Sequence, residues 1–156
     1  MRIGFGYDAH RLVAGRAMVL CGVTVPSDFG PDGHSDADVA VHALCDAILG
    51  ALALGDIGKH FPDTDERYRG VSSLVLLREC YAMARERGYT LGNCDITIVL
   101  QAPKLAPHIE LMRTVLAATL SCDIDRVSVK ATTEEHMGFT GSGEGISATA
   151  AVAIDN

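Results

Sequence analysis

Asp8 and His10 stand two residues apart, directly after a short strand-like run from Ile3 to Tyr7. In extended chain, residues i and i+2 point the same way, so a carboxylate and an imidazole here can converge on one point. Such a pair suits a divalent metal once a third ligand joins. Three protein ligands with one open position is the arrangement of a catalytic rather than a structural zinc site. The other reading is two unrelated polar residues at a strand end. His42 is the candidate third ligand, inside an otherwise apolar helical stretch that also carries Asp38 and Asp46, one turn to either side. All three can share a face, and a carboxylate bonded to the far ring nitrogen is the usual support of a metal-bound histidine. A satisfied core histidine is the alternative.

Three further clusters hold chemistry-bearing residues. His34-Ser35-Asp36 precedes the His42 helix, with Ser35 or Asp36 able to cap it and His34 placed to donate to a phosphate oxygen near its positive end. It is not a serine-hydrolase triad, whose members must come from different elements. Gly55-Asp56-Ile57-Gly58-Lys59 and Phe61-Pro62-Asp63-Thr64-Asp65 crowd three aspartates into one loop. Either this is a solvated acidic turn, or a folded-in loop whose carboxylates meet sugar-alcohol hydroxyls. Thr132-Thr133-Glu134-Glu135 closes a strand with two hydroxyls and two carboxylates, suited to phosphate and magnesium. Two glycine patterns mislead. Gly4-Phe5-Gly6-Tyr7-Asp8-Ala9 matches a dinucleotide fingerprint but has no strand to feed it and no helix after it. Gly138-Phe139-Thr140-Gly141-Ser142-Gly143-Glu144-Gly145 lacks the Lys-Ser/Thr ending of a phosphate loop.

The elements that must hold these residues alternate between short apolar strands and longer helical patterns, which predicts a two-layer α/β (α+β) sandwich. Its mixed sheet should have about four to five strands, covered by helices on one face. Strands are expected over Ile3 to Tyr7, Ala17 to Val23, Asp95 to Gln101, Arg126 to Thr132 and Ile146 to Ile154. Helices are expected over Asp36 to Leu54, from Ser72 to Arg87 with Gly88 beyond its end, and from Pro107 through Leu120. The last strand is rich in alanine (Ala148, Ala150, Ala151, Ala153), which suggests that another layer or another subunit approaches closely.

At 156 residues the chain is read as one domain spanning 1–156. The formal charge of −7 and the absence of any basic run exclude nucleic-acid or anionic-membrane binding as an expectation. An anionic ligand would need metal ions to supply local positive charge. No apolar run approaches the roughly 20 residues of a membrane span. The N-terminus lacks a signal core, and the five cysteines form no CxxC pair, so a cytoplasmic, reducing setting is expected.

Taken in order and spacing, Gly4-x-Gly6-x-Asp8-x-His10, His34-Ser35-Asp36-x-Asp38, Gly55-Asp56-Ile57-Gly58, Phe61-Pro62-Asp63-Thr64-Asp65, Gln101-Ala102-Pro103-Lys104, Lys130-Ala131-Thr132-Thr133, Gly138-Phe139-Thr140-Gly141 and Gly143-Glu144-Gly145 resemble the 2-C-methyl-D-erythritol 2,4-cyclodiphosphate synthase family. The resemblance covers roughly residues 2 to 154. It implies a homotrimer with active sites between subunits, acting in the non-mevalonate isoprenoid pathway. The reaction converts 4-diphosphocytidyl-2-C-methyl-D-erythritol 2-phosphate to the cyclic diphosphate and CMP. It implies zinc on Asp8, His10 and His42, and a magnesium or manganese ion with the diphosphate at Glu135. His34 and Thr133 become the transition-state stabilisers. His34, Ser35, Asp56, Ile57, Gly58 and Asp63 become the methylerythritol pocket, with Phe61, Pro62, Thr64 and Asp65 nearby. Leu100, Gln101, Ala102, Pro103, Lys104, Leu105 and Ala106, with Thr132, Thr133 and Glu134 of a neighbouring subunit, become the cytidine and diphosphate site. Phe139 and Ser142, in the glycine-rich segment, become further substrate-binding candidates. Ser142 departs from the arginine often found there in the family, at the mouth of an axial channel said to take isoprenoid diphosphates. Because the substrate's own phosphate is the nucleophile, no enzyme base is needed and catalysis reduces to positioning and charge neutralisation. The rival readings are a divalent-metal phosphohydrolase or nucleotidase using water, and a non-catalytic metal- or nucleotide-binding module.

Overall fold

Strand β1 (Arg2–Ala14) presents Gly4 and Gly6 to a buried helix, α1 (Val39–Ala51). A Cβ at Gly4 would overlap the Ala47 carbonyl oxygen, and one at Gly6 that of Ala43. Strand and helix therefore meet backbone to backbone, an approach that glycine alone permits. Packing, not dinucleotide binding, accounts for the spacing of these glycines.

The computed structural model describes residues 1–62 and 64–156. β1 pairs antiparallel with β4 (Phe29–Pro31) on one side and with β7 (Gly145–Asp155) on the other. β7 runs antiparallel to β5 (Thr90–Val99), and β5 runs parallel to β6 (Val127–Thr132). The result is a mixed five-stranded sheet of order β4-β1-β7-β5-β6, beside a hairpin of β2 (Met18–Leu20) and β3 (Val23–Val25). α1 lies on β1 and β7, α4 (Ile109–Leu120) lies on β6, and α3 (Ser73–Glu86) packs against both helices. The short helices α2 (Ile57–His60) and α5 (Gly138–Gly141) sit in the acidic segment after Gly55 and in the glycine-rich segment that begins at Gly138. The core forms on the helix-covered face, where Ile96, Ile98, Val127, Ala148, Ala150 and Ile154 are buried. On the other face Ile3, Phe5 and Tyr7 are 71%, 67% and 52% exposed. The expected two-layer architecture with helices on one face is the one observed.

The boundaries differ in instructive ways. The first strand does not stop at Tyr7. It continues through Arg11, paired with Gly145, and then Leu12 to Ala14 pair with β4. Backbone pairing sustains it where the apolar alternation has ended, so Asp8 and His10 lie within the strand rather than after it. Ala17 to Val23 is not one strand, because Cys21 and Gly22 both take positive φ (51° and 75°) and turn it into the β2–β3 hairpin. α1 begins at Val39, capped by Asp38 rather than by Ser35 or Asp36. Pro107 falls in a 3-10 turn, Ala106–His108, before α4 proper.

Candidate metal centre and substrate pockets

Gly4, Gly6, Asp8 and His10 alternate along one face of β1, so the face that admits α1 also carries the two polar residues. His42 precedes Ala43, whose carbonyl rests against Gly6. The close strand–helix contact therefore brings His42 onto Asp8. Asp8 Oδ2 lies 2.9 Å from His10 Nε2 and 3.1 Å from His42 Nδ1. One ligand atom from each of the three residues falls within 4.8 Å of the others, the one such group among the described residues.

The protons decide what this cluster is for. His10 Nδ1 lies 2.8 Å from the Asp32 carbonyl oxygen, which only accepts, so the ring proton sits there in the neutral imidazole. Nε2 is then a lone pair, buried beside a carboxylate oxygen and without a hydrogen-bond partner. Two electron-rich atoms facing each other in a partly buried site call for a cation between them, so these residues fit a metal. Burial would raise the Asp8 carboxyl, but the two adjacent histidines outweigh it and hold it at about 2. The Asp8 carboxylate in turn holds His10 above its ordinary value, with burial working against it.

Asp38 and Asp46 do not support His42 as their spacing suggested. Both Asp38 oxygens are taken by backbone amides: Cys21 N at 2.9 Å, Gly22 N at 2.7 Å and Val41 N at 3.2 Å. Burial nevertheless pushes its carboxyl up to about 6. It fixes the β2–β3 turn to the start of α1. Asp46 Oδ1 accepts from Ile57 N at 2.7 Å and so anchors the loop that carries Asp56 to Gly58. Burial raises the Asp46 carboxyl above its ordinary range. The far nitrogen of His42 instead faces Ser73 Oγ at 2.8 Å and Ser35 Oγ at 3.1 Å. Asp32 and Ser73 carried no sequence signal, since one acts through its backbone and the other opens a helix far along the chain.

A pocket of about 480 Å³ opens on the cluster. His34, Ser35, Ile57, Gly58, Phe61 and Pro62 line it, as the family resemblance implied, together with the unanticipated Tyr68 and Leu76. Asp56 caps α2 by accepting from Lys59 N, and Asp65 is bound to the exposed Arg67. Neither lines this pocket. Thr64 is exposed, and Asp63 lies outside the described residues. A second pocket, about 440 Å³, gathers Leu100, Gln101, Pro103, Lys104, Leu105 and Ala106 with Thr132 and Thr133, and also Ile109 and Lys130. Ala102 is not among its lining residues.

The two pockets share no residue. His10 pairs level with Ile146, Ser147 with Val99, and Val99 with Thr132. Three strand spacings thus separate the metal cluster from Thr132, about 14 Å. Thr133 Oγ1 donates to Glu135 Oε1 at 3.2 Å, while Thr140 donates to Glu134. Glu135 and His136 hold positive φ, 51° and 65°. The Glu135 carboxylate is exposed and belongs to no metal-ligating group among the described residues. Phe139 borders a hollow beside His10 and Arg11, and the Ser142 hydroxyl lies 3.1 Å from Glu144 Oε1.

The YgbB family model matches residues 1–155. The chain is 62% identical over 155 residues to the 2-C-methyl-D-erythritol 2,4-cyclodiphosphate synthase of Geobacter sulfurreducens, covering 99% of both. It is 60% identical over 152 residues to that of Shewanella baltica, covering 97% of this chain and 94% of the relative. A solved 2C-methyl-D-erythritol-2,4-cyclodiphosphate synthase with CDP bound superposes with a TM-score of 0.92 at 42% identity, over 99% of this chain and 100% of that one. A Plasmodium falciparum CDP complex matches with a TM-score of 0.86 at 31% identity, over 98% and 94% of the two chains. The chain belongs to the YgbB family, that of the 2-C-methyl-D-erythritol 2,4-cyclodiphosphate synthases.

Proposed function

We infer that this chain is a metal-dependent cyclising lyase of the non-mevalonate pathway. It takes 4-diphosphocytidyl-2-C-methyl-D-erythritol 2-phosphate to 2-C-methyl-D-erythritol 2,4-cyclodiphosphate and CMP. Asp8, His10 and His42 hold zinc, and Glu135 helps to hold magnesium or manganese against the diphosphate. Bound there, the two ions supply Lewis-acid polarisation of the β-phosphate and neutralise charge on the departing CMP. The convergence of two imidazoles and a carboxylate beside an open pocket, in a chain of this family, carries the reading.

The chain's own residues do the positioning. His34, Ser35, Ile57 and Gly58 hold the methylerythritol phosphate in the first pocket, with the substrate's 2-phosphate oxygen as nucleophile. Leu100, Gln101 and Pro103 to Ala106 hold cytidine, and CDP in the relatives' complexes supports a cytidine nucleotide as ligand. His34 and Thr133 donate to the phosphate oxygens that gain charge in the transition state. No group need remove a proton from the nucleophile, which is already an anion, and this is where the reading parts from a water-using phosphohydrolase.

A homotrimer with shared sites completes the proposal. It is supported by the about 14 Å between the metal cluster and Thr132 of one chain and by the open sheet face with Ile3, Phe5 and Tyr7. No helix among the described residues is long and apolar enough to cross a membrane. The test is turnover of the diphosphocytidyl substrate in ¹⁸O-labelled water with mass analysis. Cyclisation leaves both CMP and the cyclic product free of solvent oxygen; label in either product refutes it.

A further inference from the structure

Ser73, the first residue of α3, is fully buried, and its Oγ lies 2.8 Å from His42 Nε2. Its hydroxyl donates to Asp36 Oδ1, and its backbone N–H donates to Asp36 Oδ2 at 2.9 Å. An ionised carboxylate only accepts. The Ser73 hydroxyl proton is therefore committed to Asp36, and Ser73 Oγ can meet His42 only as an acceptor. Nε2 of His42 must then carry the ring proton. Nδ1, 3.1 Å from Asp8 Oδ2, is left with its lone pair turned toward the metal cluster.

We propose that Ser73, oriented by Asp36, is a positioning residue that selects the Nε2–H tautomer of His42 and so prepares Nδ1 as a metal ligand. The proposal rests on the metal reading given above. It also separates the roles of two serines that both approach Nε2. Ser35 Oγ, at 3.1 Å, accepts from Ala37 N, so no carboxylate fixes its proton. With the Nε2–H engaged by Ser73, the Ser35 hydroxyl proton is free to face a ligand in the pocket that Ser35 lines. His10 reaches the matching state by a different device, the Asp32 carbonyl on its Nδ1. In their neutral forms both imidazoles are thereby set to offer lone pairs to an ion.

The test begins with the unaltered metal-free chain carrying ¹⁵N-labelled histidine. Two-bond ¹H–¹⁵N correlation should show His42 as the Nε2–H tautomer. In Ser73→Ala, where only the more distant Ser35 remains, the Nδ1–H form should appear and zinc affinity should fall about tenfold or more. A chromophoric chelator in competition measures that affinity without reference to turnover. Ser73→Thr keeps the hydroxyl and should restore the native tautomer. A purely structural Ser73 would lower the melting temperature of Ser73→Ala while tautomer and zinc affinity stay unchanged, which overturns the proposal. A native His42 protonated at Nδ1 overturns it as well, even if Ser73→Ala cannot be obtained folded. A native chain that binds no zinc, yet shows His42 as Nε2–H, sinks the metal reading and leaves tautomer selection standing.

Discussion

Asp8 is held ionised by two histidines, and each histidine must be neutral at its ligating nitrogen before a metal can bind, so protons and metal compete here. The Asp8 carboxyl, at about 2, stays charged at every working pH. His10 is raised above its ordinary value by that carboxylate, so below the raised value a metal must displace its proton. Zinc affinity should then fall about tenfold per pH unit as the pH drops below that raised value, and level off above it. Competition titrations from acid to mildly alkaline pH check the sign; an affinity unchanged across them contradicts it. Replacing His42 by Ala removes one of three ligands from a helix otherwise held by apolar packing. Zinc content should drop to a small fraction and turnover by at least about a hundredfold, with the fold kept. Elemental analysis and circular dichroism read both outcomes, and one undiminished zinc per chain would exclude His42 as a ligand. Residue types and spacing were enough to nominate Asp8, His10 and His42. They could not reveal Asp32 or Ser73, because a backbone carbonyl and a lone hydroxyl leave no pattern in sequence.

α1 is the element that assembles the site, and Asp38 is what aims it. The carboxylate joins the first turn of α1 to the β2–β3 turn through three backbone amides, in a fully buried position. Asp38→Ala would leave those donors without an acceptor and remove the helix cap. The expected cost is at least about 3 kcal/mol, from a cap worth about 1 and two further buried amides worth about 1 to 3 each if unmet. Urea unfolding should show the midpoint falling without a change in slope, and a loss below about 0.5 kcal/mol would mean that water replaces the carboxylate. The sequence put three polar residues at one-turn spacing here, and the structure makes the first of them the cap of the helix and keeps the other two within it. Their partners were not legible, because Asp38 and Asp46 bind loops that only the tertiary fold carries to them. In the same way, sequence context was enough to reject a nucleotide motif at Gly4 and Gly6, but their packing role is visible only with α1 lying against them.

At the scale of the molecule, the metal cluster on β1 and Thr132 at the end of β6 lie three strand positions apart within one chain. In the proposed trimer, Asp8→Ala chains would lack the metal half of a site, and Thr133→Ala chains would lack a phosphate donor of the other half. If sites form between subunits, equal mixing of these two inactive forms should restore roughly a quarter of native activity, the share of interfaces with both halves intact. The trimers must first be dissociated and reassembled, and their mixed composition confirmed by mass spectrometry. No recovery in such mixed assemblies would place the whole site within one chain.

The alternation of strand and helix patterns was sufficient for the layer architecture, since periods of two and of 3.6 decide which residues of an element share a face. The ordered motifs likewise carried the family, because each is a local run whose spacing survives in one dimension. Tertiary structure decided what depends on contact between distant segments. It extended β1 through Asp8 and His10 by pairing, moved the cap of α1 to Asp38, and gave Asp46 to the Ile57 amide. It also brought Ser73 and Asp36 behind His42, a meeting across 31 and 37 positions of chain. A hydrogen bond between segments so far apart is a property of the packed fold, and no local periodicity encodes it.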